Sequence, residues 1–253
     1  MKSALSVLFL LISTLSYATE TKVIVRAKAK DAKFIGTSIG GAHVMIKNKT
    51  TGEIMAQGKT TGSTGNTDLI MKTPHERGMS IADEKTAKFT AIIDITEPVF
   101  VRVEVLAPIN KRQATITAST ELWLIPGKHI LGDGLVLEIP GFVVDILEPR
   151  THRFISMQDL NNQPLKIKAN LVMMCGCTIS KGGLWDAEKM EVKAIVKLND
   201  EALTEIPMRW VSNNLFEGDL PIEKGGLYEL TVYAYSEASG NTGVDKVNYI
   251  INN

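Results

Sequence analysis

Apolar and polar residues alternate with a period of two through most of this chain. Ala87, Phe89, Ala91, Ile93 and Ile95 alternate with Lys88, Thr90, Ile92 and Asp94. Val99, Val101, Val103 and Val105 alternate with Phe100, Arg102 and Glu104. This period sends one set of side chains to a buried face of a strand and the other set outward. Glu97-Pro98 separates the two runs, and the pattern predicts an antiparallel hairpin turning there. Upstream, Val23, Val25, Ala27 and Ala29 oppose Lys22, Arg26, Lys28 and Lys30. Ala42, Val44 and Ile46 lead into the turn residues 48–52, and Ile116, Ala118, Thr120, Leu122 and Leu124 form a further long strand. Strands at 135–139 and 142–147 are split by Pro140-Gly141.

A second series of strands is expected at 167–175, 190–198, 203–210, 215–218, 227–235 and 244–251, between turns rich in Asn, Gly and Pro. Short, evenly punctuated strands predict an all-β chain of two antiparallel β-sandwich domains. The expected domains are 19–148 and 165–253, with a linker over 149–164 whose Asn161-Asn162-Gln163-Pro164 is turn-forming. No amphipathic helix of ten or more residues is expected after the first 18 residues. The best candidate, 75–88, is interrupted by Gly78.

The first 18 residues read differently. Lys2 precedes an apolar run over 4–15, and Ser16-Tyr17-Ala18 matches a signal-peptidase site. The run is too short for a bilayer span, which needs about 20 residues. A signal peptide over 1–18 is therefore expected, with a mature chain starting at Thr19 in the periplasm or outside the cell, and with no transmembrane segment. Apolar residues make up 44% and charged residues 22% of the chain, a globular composition. Lys and Arg total 28, as do Asp and Glu. Losing Lys2 with the leader leaves a net charge of −1 (27 against 28), which gives no field to attract nucleic acid.

Two resemblances add to this picture. Gly225-Gly226-Leu227-Tyr228-Glu229-Leu230-Thr231-Val232-Tyr233-Ala234-Tyr235, followed by Gly240-Asn241-Thr242-Gly243, resembles the end of a bacterial immunoglobulin-like domain, with Tyr235 where that family usually has Asp. Asn214-Leu215-Phe216-Glu217-Gly218 resembles the preceding strand and turn. Gly41-Ala42-His43-Val44-Met45-Ile46-Lys47-Asn48, then Thr51-Gly52-Glu53-Ile54, is similar to a carboxypeptidase-regulatory or transthyretin-like sandwich. Its 61–68 segment departs from that family's usual closing strand. Both resemblances imply sandwich folds, and the second implies a non-catalytic attachment module.

The chemistry of the chain concentrates in Met173-Met174-Cys175-Gly176-Cys177, which holds both cysteines. In an extended strand Cys175 and Cys177 would share a face about 6.6 Å apart, near the upper limit for a disulfide, and Gly176 lets the chain tighten. Met173 would fall on the same face. A thioether and two thiolates suit Cu(I), so the alternatives are a local disulfide, a Cu(I) site and a thiol-redox pair. Trp185, in the loop after Gly182-Gly183, is a candidate cover for this site. Trp123 and Trp210 read as packing residues.

Lys22, Arg26, Lys28 and Lys30 form a cationic stripe that could bind an anion or protect a sheet edge. The glycine-rich segments 36–41 and 58–68 lack P-loop spacing and read as turns. His43, His75, His129 and His152 show no metal-binding or catalytic spacing, and no nucleophile elbow is present. These features favour a non-catalytic binding or scaffolding module of the cell envelope, partnered by another envelope protein. The alternative is a copper-handling or thiol-redox protein centred on Cys175 and Cys177.

Overall fold

A computed structural model describes residues 18–252, so the expected leader, apart from Ala18, lies outside the described residues. The N-terminal half comprises β1 (Thr19–Ala29), β2 (His43–Asn48), β3 (Ile54–Lys59), the single-turn α1 (Thr67–Met71), β4 (Phe89–Ile95), β5 (Val99–Ala107), β6 (Ile116–Leu124) and β7 (Ile130–Ile139). The strands form a three-stranded sheet in the order β4-β1-β7 and a four-stranded sheet in the order β3-β2-β5-β6. β1 pairs antiparallel with β4 and parallel with β7, with Val25 opposite both Phe89 and Leu135. The alternating residues pack between the two sheets, where Val23, Val25, Val44, Ile46, Val101, Val103 and Val105 are all buried.

The C-terminal half adds β8 (Phe142–Glu148), β9 (Phe154–Ser156), β10 (Leu165–Met173), β11 (Glu191–Leu198), β12 (Glu201–Pro207), β13 (Arg209–Ser212), β14 (Leu215–Leu220), β15 (Gly226–Ser236) and β16 (Asn241–Asn252). One sheet runs β13-β14-β10-β8 and the other β12-β11-β15-β16-β9. This is the two-sheet plan of immunoglobulin-like sandwiches. Tyr228, near the start of β15, donates its hydroxyl to Lys224 O at 2.7 Å, which is the corner contact that anchors the equivalent strand in those domains. The ring of Tyr228 stacks on Tyr249 with centroids 5.4 Å apart, and both side chains are buried.

Most strands fall where the alternation puts them, but several partners differ from expectation. β4 and β5 do not form a hairpin: β4 pairs with β1, and β5 with β2 and β6 in the opposite sheet. Period-two patterning fixes which side chains are buried, and a strand on either side of one core satisfies it equally. The expected strand over 203–210 is also two strands. β12 pairs with β11, and β13, beyond Pro207, pairs with β14 across the core. Residues 75–88 form no helix. The one α-helix among the described residues is α1, started by Asn66, whose side chain accepts from Asp68 N and Leu69 N.

Strand pairing also crosses the expected domain limits. β8, within 19–148, pairs with β10, placing Val144 opposite Leu171. β9, within the expected linker, pairs in parallel with β16. Pro140-Gly141 redirects the chain from one sandwich to the other. Gly141 has φ +110°, and a Cβ there would lie 2.8 Å from Thr242 O, so only glycine fits. The buried apolar residues of both halves form one continuous cluster.

Candidate functional site

The sulfur-bearing turn grows out of β10. Leu165, Ile167, Ala169, Leu171 and Met173 alternate into the core of the C-terminal sandwich. The extended backbone ends there. Gly176 N donates to Met173 O at 2.7 Å, Met173 N donates to Cys177 O at 3.1 Å, and Gly176 takes φ +78°. This tight turn brings Cys175 and Cys177 to a Cα separation of 5.4 Å, and the two form a disulfide. The expected three-sulfur face of Met173, Cys175 and Cys177 depends on continued extension. It is replaced by a turn in which the two cysteine sulfurs are bonded to each other and Met173 belongs to the inner row of β10. Cys175 is buried and Cys177 half-buried.

The turn lies at the joint between the two sandwiches. A Cβ built on Gly176 would be 3.3 Å from Cδ1 of Ile39, which sits in a 3₁₀ turn (Thr37–Ile39) of the N-terminal half. Met174 is buried, with its Cε 3.2 Å from a Cβ built on Gly141. Polar contacts also cross the joint, among them those of Lys111 and Gln113 with Asp145 of β8. Asn241, fully buried, donates its amide to Lys30 O at 3.0 Å and accepts from Gly141 N at 2.8 Å. Trp185 Nε1 donates to Asp31 O at 2.8 Å. Trp185 is buried, and its loop is held by Asp186, whose carboxylate accepts from Gly182 N and Glu188 N. Those two amides hold the Asp186 carboxyl below its ordinary value. Trp185 thus ties the two halves together. The part that Asn241 and Trp185 play in the joint was not legible in the sequence, because their partners lie 211 and 154 residues away.

The cationic stripe does not form as expected. β1 is the central strand of its sheet, so it has no edge to protect. Arg26 is 2% exposed. Its guanidinium donates to Thr86 O at 2.5 Å, Ala87 O at 3.0 Å and Asp133 O at 3.2 Å, and it lies 5.9 Å from the centre of the Phe34 ring. Burial lowers its pKa, against the raising influence of Asp133 and Asp83. Of the other members, Lys22 pairs with Glu20 at 3.0 Å, and Lys28 and Lys30 are half-buried. A cleft of about 280 Å³ beside Arg26 is lined by Ile24, Ser80, Asp83, Glu84 and Lys88. Asp133 anchors the segment over it by accepting from Ser80 Oγ, Ile81 N and Ala82 N.

The glycine-rich segments pair with each other: Thr37 N donates to Gly62 O and Gly62 N to Thr37 Oγ1. Trp123 does not pack in the core. It is 62% exposed and rests against Phe100, with centroids 5.1 Å apart. Trp210 is half-buried. A larger cleft of about 590 Å³, unmarked in the sequence, opens on the C-terminal sandwich among Leu198, Leu203, Leu220, Pro221, Glu223 and Tyr228. Among the described residues, no three His, Cys, Asp or Glu side chains are grouped to hold a metal ion, and no helix is long and apolar enough to cross a membrane.

No family model matches the chain, and no curated protein is significantly similar to it in sequence. Solved structures that align with it include the fibronectin(III)-like modules of CbhA from Clostridium thermocellum, at 14% identity over 92% of this chain and 93% of that one, with a TM-score of 0.28. A DUF3823 family protein from Bacteroides uniformis aligns at 10% identity over 91% of this chain and 100% of that one, with a TM-score of 0.28. An engineered protein aligns at 14% identity with a TM-score of 0.33 over 48% of this chain, which spans 22% of that protein's length.

Proposed function

We propose that this chain is an exported, non-catalytic module that binds or scaffolds another protein of the cell envelope. The observation that carries the reading is the joint. The two sandwiches share one apolar core and are tied by Asn241 to Lys30 and by Trp185 to Asp31. A joint of this kind holds two sets of outer sheet faces in a fixed relation, which suits a spacer or a two-sided adaptor. Each half also exposes a large aromatic side chain, Trp123 at 62% and Phe154 at 58%. Exposed aromatics of this kind are the residues that anchor protein interfaces.

The test is in-cell photo-crosslinking from positions 123 and 154, with the exposed Thr90 as control, combined with fractionation and mass measurement of the N-terminus. The expected result is a mature chain starting at Thr19 and an adduct of defined mass from 123 or 154 that is absent from 90. Retention in the cytoplasm with the leader intact, or no adduct from either aromatic position, would refute it. The alternative is Cu(I) handling by the reduced pair of Cys175 and Cys177. It predicts two free thiols in the isolated protein and stoichiometric Cu(I) uptake.

A further inference from the structure

We infer that the disulfide between Cys175 and Cys177 is a redox-sensitive latch on the joint between the two sandwiches, and that its reduction loosens the joint while leaving both sandwiches folded. Three observations combine. The turn between the cysteines sits at the rim of the joint: Gly176 is exposed but lies against Ile39, and the neighbouring buried Met174 lies against Gly141. The disulfide closes a loop of only two residues' separation, so it constrains little of the unfolded chain and adds little to global stability through chain entropy. Its structural influence is therefore local. Finally, the pair is unequal in access: Cys175 is buried and Cys177 is half-buried.

That inequality sets the direction of the chemistry. A thiolate of a small dithiol reaches the Cys177 sulfur and forms a mixed disulfide with it. The Cys175 sulfur leaves as a thiolate and takes up a proton. The second thiol of the reductant, as its thiolate, then displaces Cys177, which is also protonated, and the reductant departs as a cyclic disulfide. Two electrons and two protons are transferred in all.

Reduction removes the covalent tie between the half-buried Cys177 and the buried Cys175, and so frees a turn that is itself exposed at Gly176. Cys175 is held by the core of the C-terminal sandwich. The freed residues are Gly176 and Cys177, and their contact at the joint is that of Gly176 with Ile39. The contacts expected to weaken with it are the cross-joint bonds from Trp185 to Asp31 and from Asn241 to Lys30.

Hydrogen exchange by mass spectrometry on the full mature chain, oxidised and after treatment with dithiothreitol, tests this directly. Reduction is expected to speed exchange on the order of ten-fold or more in peptides covering 30–41 and 173–187, with the strands β5 and β15 unchanged. The variant Cys175→Ala with Cys177→Ala has no bond to break, so its exchange should be indifferent to dithiothreitol. Three outcomes would overturn the latch. One is equal exchange in both wild-type states. Another is no two-proton mass gain on treatment. The third is exchange that rises throughout both sandwiches, which would make the disulfide a support of the whole fold. If the double variant does not fold, the two wild-type states decide alone.

Discussion

Arg26→Met separates a buried structural role from a surface anion site. The guanidinium satisfies the buried carbonyls of Thr86 and Ala87 and also reaches Asp133 O. Methionine keeps an apolar stem of similar length but donates no hydrogen bond. Each buried acceptor left without a donor costs about 1–3 kcal/mol. Two such acceptors set a gross loss of roughly 2–6 kcal/mol. Removing the guanidinium also removes its own desolvation penalty, which offsets part of the loss. The expected net destabilisation is about 2–4 kcal/mol. With a urea m-value of about 3 kcal/mol/M, the midpoint should fall by roughly 1 M. Arg26→Lys should fall between wild type and Arg26→Met, because one ammonium cannot reproduce the spread of the guanidinium donors. Lys28→Met, on the same face but half-exposed, should move the midpoint little. The assay is equilibrium urea unfolding followed by tryptophan fluorescence. An Arg26→Met midpoint within about 0.2 M of wild type would refute the reasoning and return Arg26 to the surface stripe.

Three further outcomes follow from the same structure. Val103→Asp should cost more than about 3 kcal/mol, since Val103 is fully buried between Ile46 and Thr120 on the neighbouring strands, and an unchanged melting temperature would contradict it. Tyr228→Phe should cost about 0.5–1.5 kcal/mol by removing the bond to Lys224 O. Tyr249→Phe should be neutral or stabilising, because the buried Tyr249 hydroxyl has no partner; equal effects in thermal melts would undo the distinction. Stability should also fall in acid. The carboxyls of Asp219, paired with Lys166 and Arg209, and of Glu229, paired with Lys246 and Lys197, are held below their ordinary values. Their folded pKa values lie below the unfolded ones of about 4, so between the two the unfolded chain binds more protons. The contribution is present above about pH 4–5 and lost as pH falls through the folded values. A urea midpoint that stays flat from pH 7 to pH 3 would contradict this.

The all-β architecture was legible residue by residue. Val101, Val103 and Val105, or Leu165, Ile167 and Ala169, face inward because a strand repeats every two residues, and that period is written in the local sequence. The glycine between two cysteines allowed a turn at Gly176, but the local sequence allowed continued extension equally, and only the structure decided between them. Tyr228 and its strand carried the immunoglobulin-like pattern.

What the tertiary structure alone decided is who meets whom. β4 and β5 have the pattern of a hairpin yet lie in opposite sheets, because alternation specifies burial and is silent on partners. Arg26 reads as one cation of an exposed stripe, but the 80–88 segment and β7 fold over it and supply carbonyls about 60 and 107 residues away. Cys175, Gly176 and Trp185 became parts of a joint only when Ile39 and Asp31 were brought against them, the latter across 154 residues. Periodicity is a property of neighbours along the chain and can be read from it. Desolvation and hydrogen-bond satisfaction depend on atoms contributed from remote segments, and those are assembled only when the sheets close over a common core.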